Sequence, residues 1–179
     1  MPVQIGAKTH SFSDPTGLLS DCHRRIEAFL AALAAVGSSL AAAPSPEVAR
    51  SLELALRYFR EAAPKHTADE ESSFFPRLRR LDDAELRHAL AQLEHLEHDH
   101  RVADILHAKI DRLGNRYLAT GQLSTAEIGA YRGTVAELQA IYQQHIRLED
   151  EVVFPLAQRV LPETEKAAIA AEMAGRRKA

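Results

Sequence analysis

The sequence predicts an all-α protein built as an up-down-up-down four-helix bundle, with a short C-terminal helix or tail after it. Ala, Leu, Glu and Arg are abundant, β-branched residues are few, and no alternating strand-like run lies between turn signals. Long helical segments are separated by short connections, which in a bundle join antiparallel neighbours. The 179 residues suffice for one domain with a substantial core.

Capping residues mark the predicted helix starts, and Gly or Pro marks the ends. A Ser or Asp stands before each first turn, at Asp14, Ser45, Asp82 and Ser124. The predicted helices run over about residues 14–37, 45–80, 82–118 and 124–161, with Gly114 as a weak point inside the third. We therefore predict an N-terminal extension over residues 1–13, a bundle domain over 14–161 and a C-terminal tail over 162–179 with a solvated end.

Composition and charge argue against several classes of protein. The net charge is only −3 and the basic residues are scattered among acidic ones, so the sequence lacks a footprint for nucleic acid. No segment approaches the ~18 apolar residues that a membrane helix needs, and the first residues lack the apolar core of a signal peptide. We expect a cytoplasmic protein. The single cysteine, Cys22, cannot form an internal disulfide, which fits a reducing compartment.

One motif occurs twice, as HTADEESSFFP over residues 66–76 and as HIRLEDEVVFP over residues 145–155. Both copies read His-x-x-x-Glu-acidic-x-x-x-Phe-Pro. Four residues turn an α-helix only ~40° past a full revolution, so each His and its Glu share one face. A single such pair is usually a solvated surface pair, but two matched copies indicate a function. Helical bundles build carboxylate-bridged di-metal sites from such pairs.

The residues around each pair predict that it faces the bundle interior. Apolar side chains share the helix face of His145, and Phe59, Ala62 and Ser73 share that of His66. Buried carboxylates are costly unless they are paired or bind a metal. Without a metal, we expect desolvation to raise the pKa values of the two glutamates and to keep them protonated.

The first and third predicted helices each offer a single candidate histidine. His23 lies on an apolar stripe, where a core histidine is the common interpretation, but two inward His/Glu pairs elsewhere favour a ligand. In the third helix the helical phase favours His100, with His98 as the alternative. His95 falls on the surface side. His107 lies two turns beyond His100 and is either an extra ligand or a partner of one.

Three further predictions concern residues near these pairs. Pro64, Pro76 and Pro155 remove backbone donors, so distortions are expected at each of them. Tyr142, one turn before His145, is either a hydroxyl next to the site or a core aromatic. Cys22 is rotated away from the ligand face and is expected to be a small core residue.

Together these residues resemble a hemerythrin-like (HHE cation-binding) domain over about residues 18–161. The resemblance rests on His23, on His66-x-x-x-Glu70 with Phe75-Pro76, on Asp99-His100-Arg101, and on His145-x-x-x-Glu149 with Phe154-Pro155.

The resemblance implies a non-haem di-iron centre, with an oxo or hydroxo bridge when oxidised. Glu70 and Glu149 would bridge the irons, and the terminal ligands would be His23, His66, His100 and His145. Oxygen-carrying hemerythrins differ, because their third helix presents His-x-x-x-His and their fourth presents His-x-x-x-x-Asp. The latter pattern would select Asp150, but Asp150 is rotated ~140° from His145, so we favour Glu149.

Four His and two Glu are more similar to the branch of this family that handles iron, nitric oxide and peroxide. We therefore expect a protein that senses or handles oxygen, peroxide or nitric oxide, or that stores iron. The alternatives are a peroxide-disproportionating di-iron enzyme and a metal-free helical interaction module. Zinc or manganese could occupy the same ligands, because His/carboxylate sites accept several first-row metals.

Overall fold

The computed structural model describes residues 10–81 and 84–178. Within them no strand occurs, and the helices are α1 (Pro15–Ser39), α2 (Pro46–Glu61), α3 (Ala63–Asp69), α4 (Phe75–Leu78), α5 (Ala84–Thr120), α6 (Thr125–Leu148), α7 (Phe154–Val160) and α8 (Glu163–Arg176). Two short π-helical segments complete the described elements: the first π turn, Glu70–Phe74, and the second π turn, Glu149–Val153.

These elements form a helical bundle, as predicted. The first bundle helix is α1, the second joins α2, α3, the first π turn and α4, the third is α5, and the fourth joins α6, the second π turn and α7. Each bundle helix packs against the next one in the chain, and the fourth packs against the first. This arrangement is compatible with an up-down-up-down order. Among the described helices, none is long and apolar enough to cross a membrane.

The predicted helix starts are confirmed where the structure describes them. The side chains of Asp14 and Ser45 each accept a backbone N–H of the following turn, and a proline occupies the first turn of each helix. Ser124 and Glu127 form the reciprocal capping box at the start of α6. The predicted cap at Asp82, and residues 1–9 of the N-terminal extension, lie outside the described residues.

The distortions predicted at Pro76 and Pro155 take the form of the two π turns. The Phe75 N–H bonds the Glu70 carbonyl, and the Phe154 N–H bonds the Glu149 carbonyl, five residues back in each case. A proline cannot donate, and its ring clashes with the carbonyl four residues before it, so a widened turn ahead of the proline relieves both problems. Another break, at Ala62, precedes Pro64.

Two apolar clusters form the core, and a polar layer separates them. One cluster contains Leu33, Leu52 and Ile110, and the other contains Leu19 and Phe74 with their neighbours. Every bundle helix contributes to both clusters, so its middle crosses the polar layer. The duplicated His/Glu pairs lie in this layer.

The last helix, α8, packs back onto α1, α3 and the first π turn. Ile169 and Met173 are fully buried there. Near the expected solvated end, Gly175, Arg177 and Lys178 are exposed, but the side chains of Arg176 and Arg177 both form ion pairs with the buried Asp69. The segment after residue 162 is therefore packed against the bundle.

The weak point predicted at Gly114 is a close contact between two bundle helices. A Cβ atom at this position would lie 2.8 Å from Leu56 Cδ1 and 3.3 Å from Leu52 Cδ1. α5 continues through Gly114 without interruption. The missing side chain thus lets α5 approach α2.

We expect Gly114→Ala to lower the free energy of unfolding by about 1 kcal/mol, because overpacking costs about 1–3 kcal/mol and outweighs the better helix propensity of Ala. The control is Gly133→Ala on α6, where a Cβ would meet nothing within 4 Å. That variant should gain roughly 0.5–1 kcal/mol. Urea denaturation measures both, and equal effects would contradict the close contact.

Candidate metal centre

The structure brings all six predicted ligand residues together in the polar layer. Each is at most 5% exposed. They come from every bundle helix: His23 from α1, His66 from α3, Glu70 from the first π turn, His100 from α5, His145 from α6 and Glu149 from the second π turn. Both glutamates are the first residue of a π turn, an irregularity that often marks functional sites.

Each glutamate faces imidazole nitrogens from more than one bundle helix. Glu149 Oε2 lies 3.0 Å from His23 Nε2 and 3.2 Å from His145 Nε2. On the other side of the layer, Glu70 Oε1 lies 3.1 Å from His66 Nε2, and Glu70 Oε2 lies 3.3 Å from His100 Nε2. The two carboxylates therefore occupy the middle of the cluster.

These short distances do not correspond to hydrogen bonds. Among the described residues, both carboxylate oxygens of Glu70 and of Glu149 are buried without a hydrogen-bond partner, as are Nε2 of His23 and of His145. Buried polar atoms are normally hydrogen-bonded. Carboxylate oxygens and imidazole nitrogens that converge without bonding one another therefore fit a cation that all of them bind. The six side chains therefore suit a metal.

The donor atoms fall into two compact groups. One contains His23, His66, Glu70 and Glu149, and the other contains Glu70, His100 and His145. Within each group the atoms lie within 4.8 Å of one another. Because Glu70 belongs to both groups, the cluster can hold two neighbouring cations that share a carboxylate.

Carboxylates also stand behind three of the four imidazoles, at Nδ1. The Nδ1 contacts are His23 with Asp150 at 2.9 Å, His100 with Glu71 at 2.8 Å, and His145 with Asp99 at 3.4 Å. Such an acceptor holds the proton at Nδ1, fixes the orientation of the ring and leaves Nε2 to face the site.

None of these three carboxylates was predicted to be an acceptor for an imidazole, although the sequence carries the signal. Glu71 and Asp150 are the acidic residues that follow the glutamate in both copies of the repeat, and Asp99 directly precedes His100. Asp150 does not enter either donor group in place of Glu149. It also accepts from Ser20 and Arg24.

Cys22 lies beside the fourth imidazole, that of His66. Burial raises the pKa of the thiol, but the neighbouring His66 imidazole and the nearby arginine charges outweigh burial and lower the pKa to about 7. The Arg25 guanidinium donates to the sulfur at 2.8 Å. Cys22 is buried as expected, but the interpretation as a simple core residue omitted this contact.

Three other histidines of α5 whose side chains the structure describes, His95, His98 and His107, lie outside the donor groups. His95 and His98 are exposed. His107 stacks on Phe59 with ring centroids 4.2 Å apart, and its Nε2 lies 3.1 Å from the Tyr142 hydroxyl. Burial lowers the pKa of His107 to about 4. Tyr142 is thus a core aromatic whose hydroxyl is bound to His107.

Ionisation in the cluster is the reverse of the sequence-based expectation. Burial alone would keep the carboxyls neutral, but the facing imidazoles outweigh it and lower the pKa values of Glu70 and Glu149. Burial also opposes charge on the histidines, yet their carboxylate partners raise the pKa values of His23 and His100, and that of His145 to about 10. These directions contradict the expectation of raised glutamate pKa values, because they favour protons on His23, His100 and His145 over protons on the two carboxylates.

We expect the metal-free protein to lose stability as the pH rises from 6 to 9. An imidazole with a raised pKa stabilises the fold fully below its unfolded pKa of about 6.5, and this contribution is lost as the pH rises through the folded pKa, about 10 for His145. The lowered pKa values of the two glutamates also stabilise the fold. That contribution is present above their unfolded pKa of about 4.3 and is lost only in acid. Thermal melts of chelator-treated protein measure the slope.

The matched variants for this titration are Glu149→Gln and Glu151→Gln. The first removes the anionic partner of His145 and should flatten the profile. Glu151 is exposed and pairs only with Arg147 in the described contacts, so its variant should keep the parent slope. Stability that is constant or rises between pH 6 and 9 would contradict the raised imidazole pKa values.

Comparison with known proteins agrees with this arrangement. The family model of the Hemerythrin HHE cation binding domain matches residues 14–157, which includes all six clustered residues. A search of curated proteins found no match. Because the match spans most of the chain and the structure is a helical bundle with a buried His/Glu cluster, the protein belongs to the hemerythrin HHE cation-binding family.

Proposed function

We propose that the protein holds two iron ions in the polar layer of the bundle and uses them to sense or handle oxygen, peroxide or nitric oxide. Membership of the family supports a bound cation, typically iron. The single observation that carries the proposal is the pair of convergent donor groups that share Glu70. The proposed ligands are His23, His66, Glu70, His100, His145 and Glu149.

The grouping of the imidazoles supports two ions with two histidines each. The His23 and His66 rings have centroids 4.9 Å apart, and the His100 and His145 rings have centroids 4.7 Å apart. Glu70 is common to both groups, and Glu149 contacts a histidine from each pair. We therefore assign both carboxylates as bridges and the four imidazoles as terminal ligands.

Charge gives a second argument for cations. Four neutral imidazoles and two carboxylates form a buried layer with a net charge of about −2, which is costly unless positive charge balances it. In the metal-free protein, the raised pKa values of His23, His100 and His145 favour protons on these imidazoles, which would supply that charge. Metal ions replace those protons on binding. Imidazole and carboxylate donors suit iron, and zinc or manganese are chemically acceptable substitutes.

The small number of protein donors favours small-molecule chemistry over simple storage. Among the side chains of α5 that the structure describes, only His100 enters a donor group, and Asp104, one turn later, is exposed. Bound iron would supply redox chemistry and free coordination positions for a small molecule. The chain's own part is to hold the imidazole protons at Nδ1, through Asp150, Glu71 and Asp99, and to keep Nε2 directed inward.

Metal analysis tests the ligand set directly. We expect about two irons per chain after anaerobic loading with Fe(II). Glu70→Ala and Glu149→Ala should lose most of the iron. His100→Ala should lower the iron content, whereas His98→Ala, on the same helix but exposed, should keep it. Full iron retention in both glutamate variants would contradict the bridges.

The same preparation separates the remaining functions. A parent protein that takes up no metal would instead fit a metal-free interaction module. Steady oxygen release from added peroxide would make the protein a peroxide-disproportionating enzyme. A change in the optical spectrum on adding peroxide or nitric oxide, without steady turnover, fits sensing or handling.

The carboxylates behind the imidazoles give an independent prediction. Asp150→Ala removes the acceptor of His23 Nδ1 and should weaken iron binding by about 10–100-fold, the usual effect of losing such a partner. Competition with a coloured chelator measures the affinity. Glu151→Ala, at the next position and exposed, is the control. Equal affinities in the two variants would remove Asp150 from the centre.

A further inference from the structure

Asp69 is a fully buried carboxylate that lies one residue before Glu70 and takes no part in the donor groups. Both of its oxygens are bound by arginines from the end of α8. Arg176 Nη1 donates to Oδ1 at 2.7 Å, and Arg177 Nη2 donates to Oδ2 at 2.6 Å. A buried carboxylate without a counter-charge is strongly unfavourable, so these contacts tie α8 to the residue next to Glu70.

The same face of α8 also holds the first π turn. The Arg176 guanidinium and the Glu172 carboxylate both bind the hydroxyl of the buried Ser73. Arg77 donates to the Ser73 carbonyl at 2.8 Å and to Glu172 Oε1 at 2.8 Å. A π turn distorts the regular backbone bonding of the helix, so these side chains stabilise a segment that α-helical bonds support poorly.

α8 also contacts the first bundle helix, α1. Below these polar contacts, Ile169 and Met173 pack into the apolar cluster that contains Phe74. α8 therefore covers the side of the metal centre where α1, α3 and the first π turn meet.

We propose that Arg176 and Arg177 are positioning residues of the metal centre, and that α8 is a clamp. Through Asp69 the arginines fix the first π turn and hence Glu70, and release of α8 is the step that sets how fast metal enters and leaves. This inference rests on the proposed function, because it needs a metal held by Glu70. An apolar residue at position 69 would pack without a buried charge, whereas a charged Asp69 requires the arginines of α8 to stay in place.

The test measures metal transfer from Fe(II)-loaded protein to an excess of a strong chelator, under anaerobic conditions. The double variant Arg176→Met/Arg177→Met should release iron at least tenfold faster than the parent. Asp69→Asn, which keeps the shape of the side chain and removes its charge, should also release iron faster. Arg176→Lys/Arg177→Lys keeps the positive charge and should return the rate toward that of the parent.

Lys166→Met is the matched control, because Lys166 lies on the same helix and pairs only locally with Glu163 among the described contacts. It should release iron at the parent rate. Limited proteolysis in parallel should show earlier cleavage within α8 for the Met double variant and for Asp69→Asn. If α8 acted only in folding, the rate of iron release would follow the melting temperature of the metal-free protein in every α8 variant, including Lys166→Met. Arg176→Lys/Arg177→Lys would then not restore the parent rate.

The outcomes separate the two proposals. If the parent takes up no iron, the proposed function fails and the clamp fails with it. If the parent binds two irons but the Met double variant and Asp69→Asn both release iron at the parent rate, only the clamp is overturned. If the Met double variant does not fold, the iron-release rates of Asp69→Asn and of the Lys double variant test the clamp. Faster release from Asp69→Asn with near-parent release from the Lys variant supports it, and parent-rate release from Asp69→Asn overturns it.

Discussion

Two carboxylates buried side by side in the middle of a helical bundle are the constraint to which the rest of the structure responds. Glu70 and Glu149 are both fully buried, and each would be unstable there without positive charge. Four imidazoles surround them, three further carboxylates hold those imidazoles from behind, and apolar clusters close the layer above and below. The same buried residues therefore determine both cation binding and the stability of the fold.

The helical fold and the His/Glu cluster could be predicted from the sequence, because both depend on signals from residues close together in the chain. Caps predicted the described helix starts, and helical phase chose His100 over His98 because α5 is regular around them. The role of Asp69 was not readable, because its partners lie more than 100 residues away in α8. The charge state of the glutamates was misjudged because each was considered with the other carboxylate and not with its imidazoles.

The two halves of the bundle are related by an internal pseudo-symmetry. The residue before each single histidine, Cys22 or Asp99, lies beside the paired histidine of the neighbouring helix. The acidic residue after each glutamate of the repeat, Glu71 or Asp150, bonds the single histidine of another helix. Cys22 breaks this pattern, since a thiol stands where the other half has a carboxylate.

The π turns also explain why both copies of the repeat have the same length, eleven residues from His to Pro. In the fourth bundle helix, every fourth residue from 145 to 161 is buried: His145, Glu149, Val153, Ala157 and Leu161. A regular α-helix would drift ~40° at each such step and would turn the later residues toward solvent. The widened turn absorbs this drift. Loss of a single codon inside either π turn would therefore yield a regular helix in which the Phe-Pro end still faces the core, whereas gain of a codon there would turn that end by ~100°.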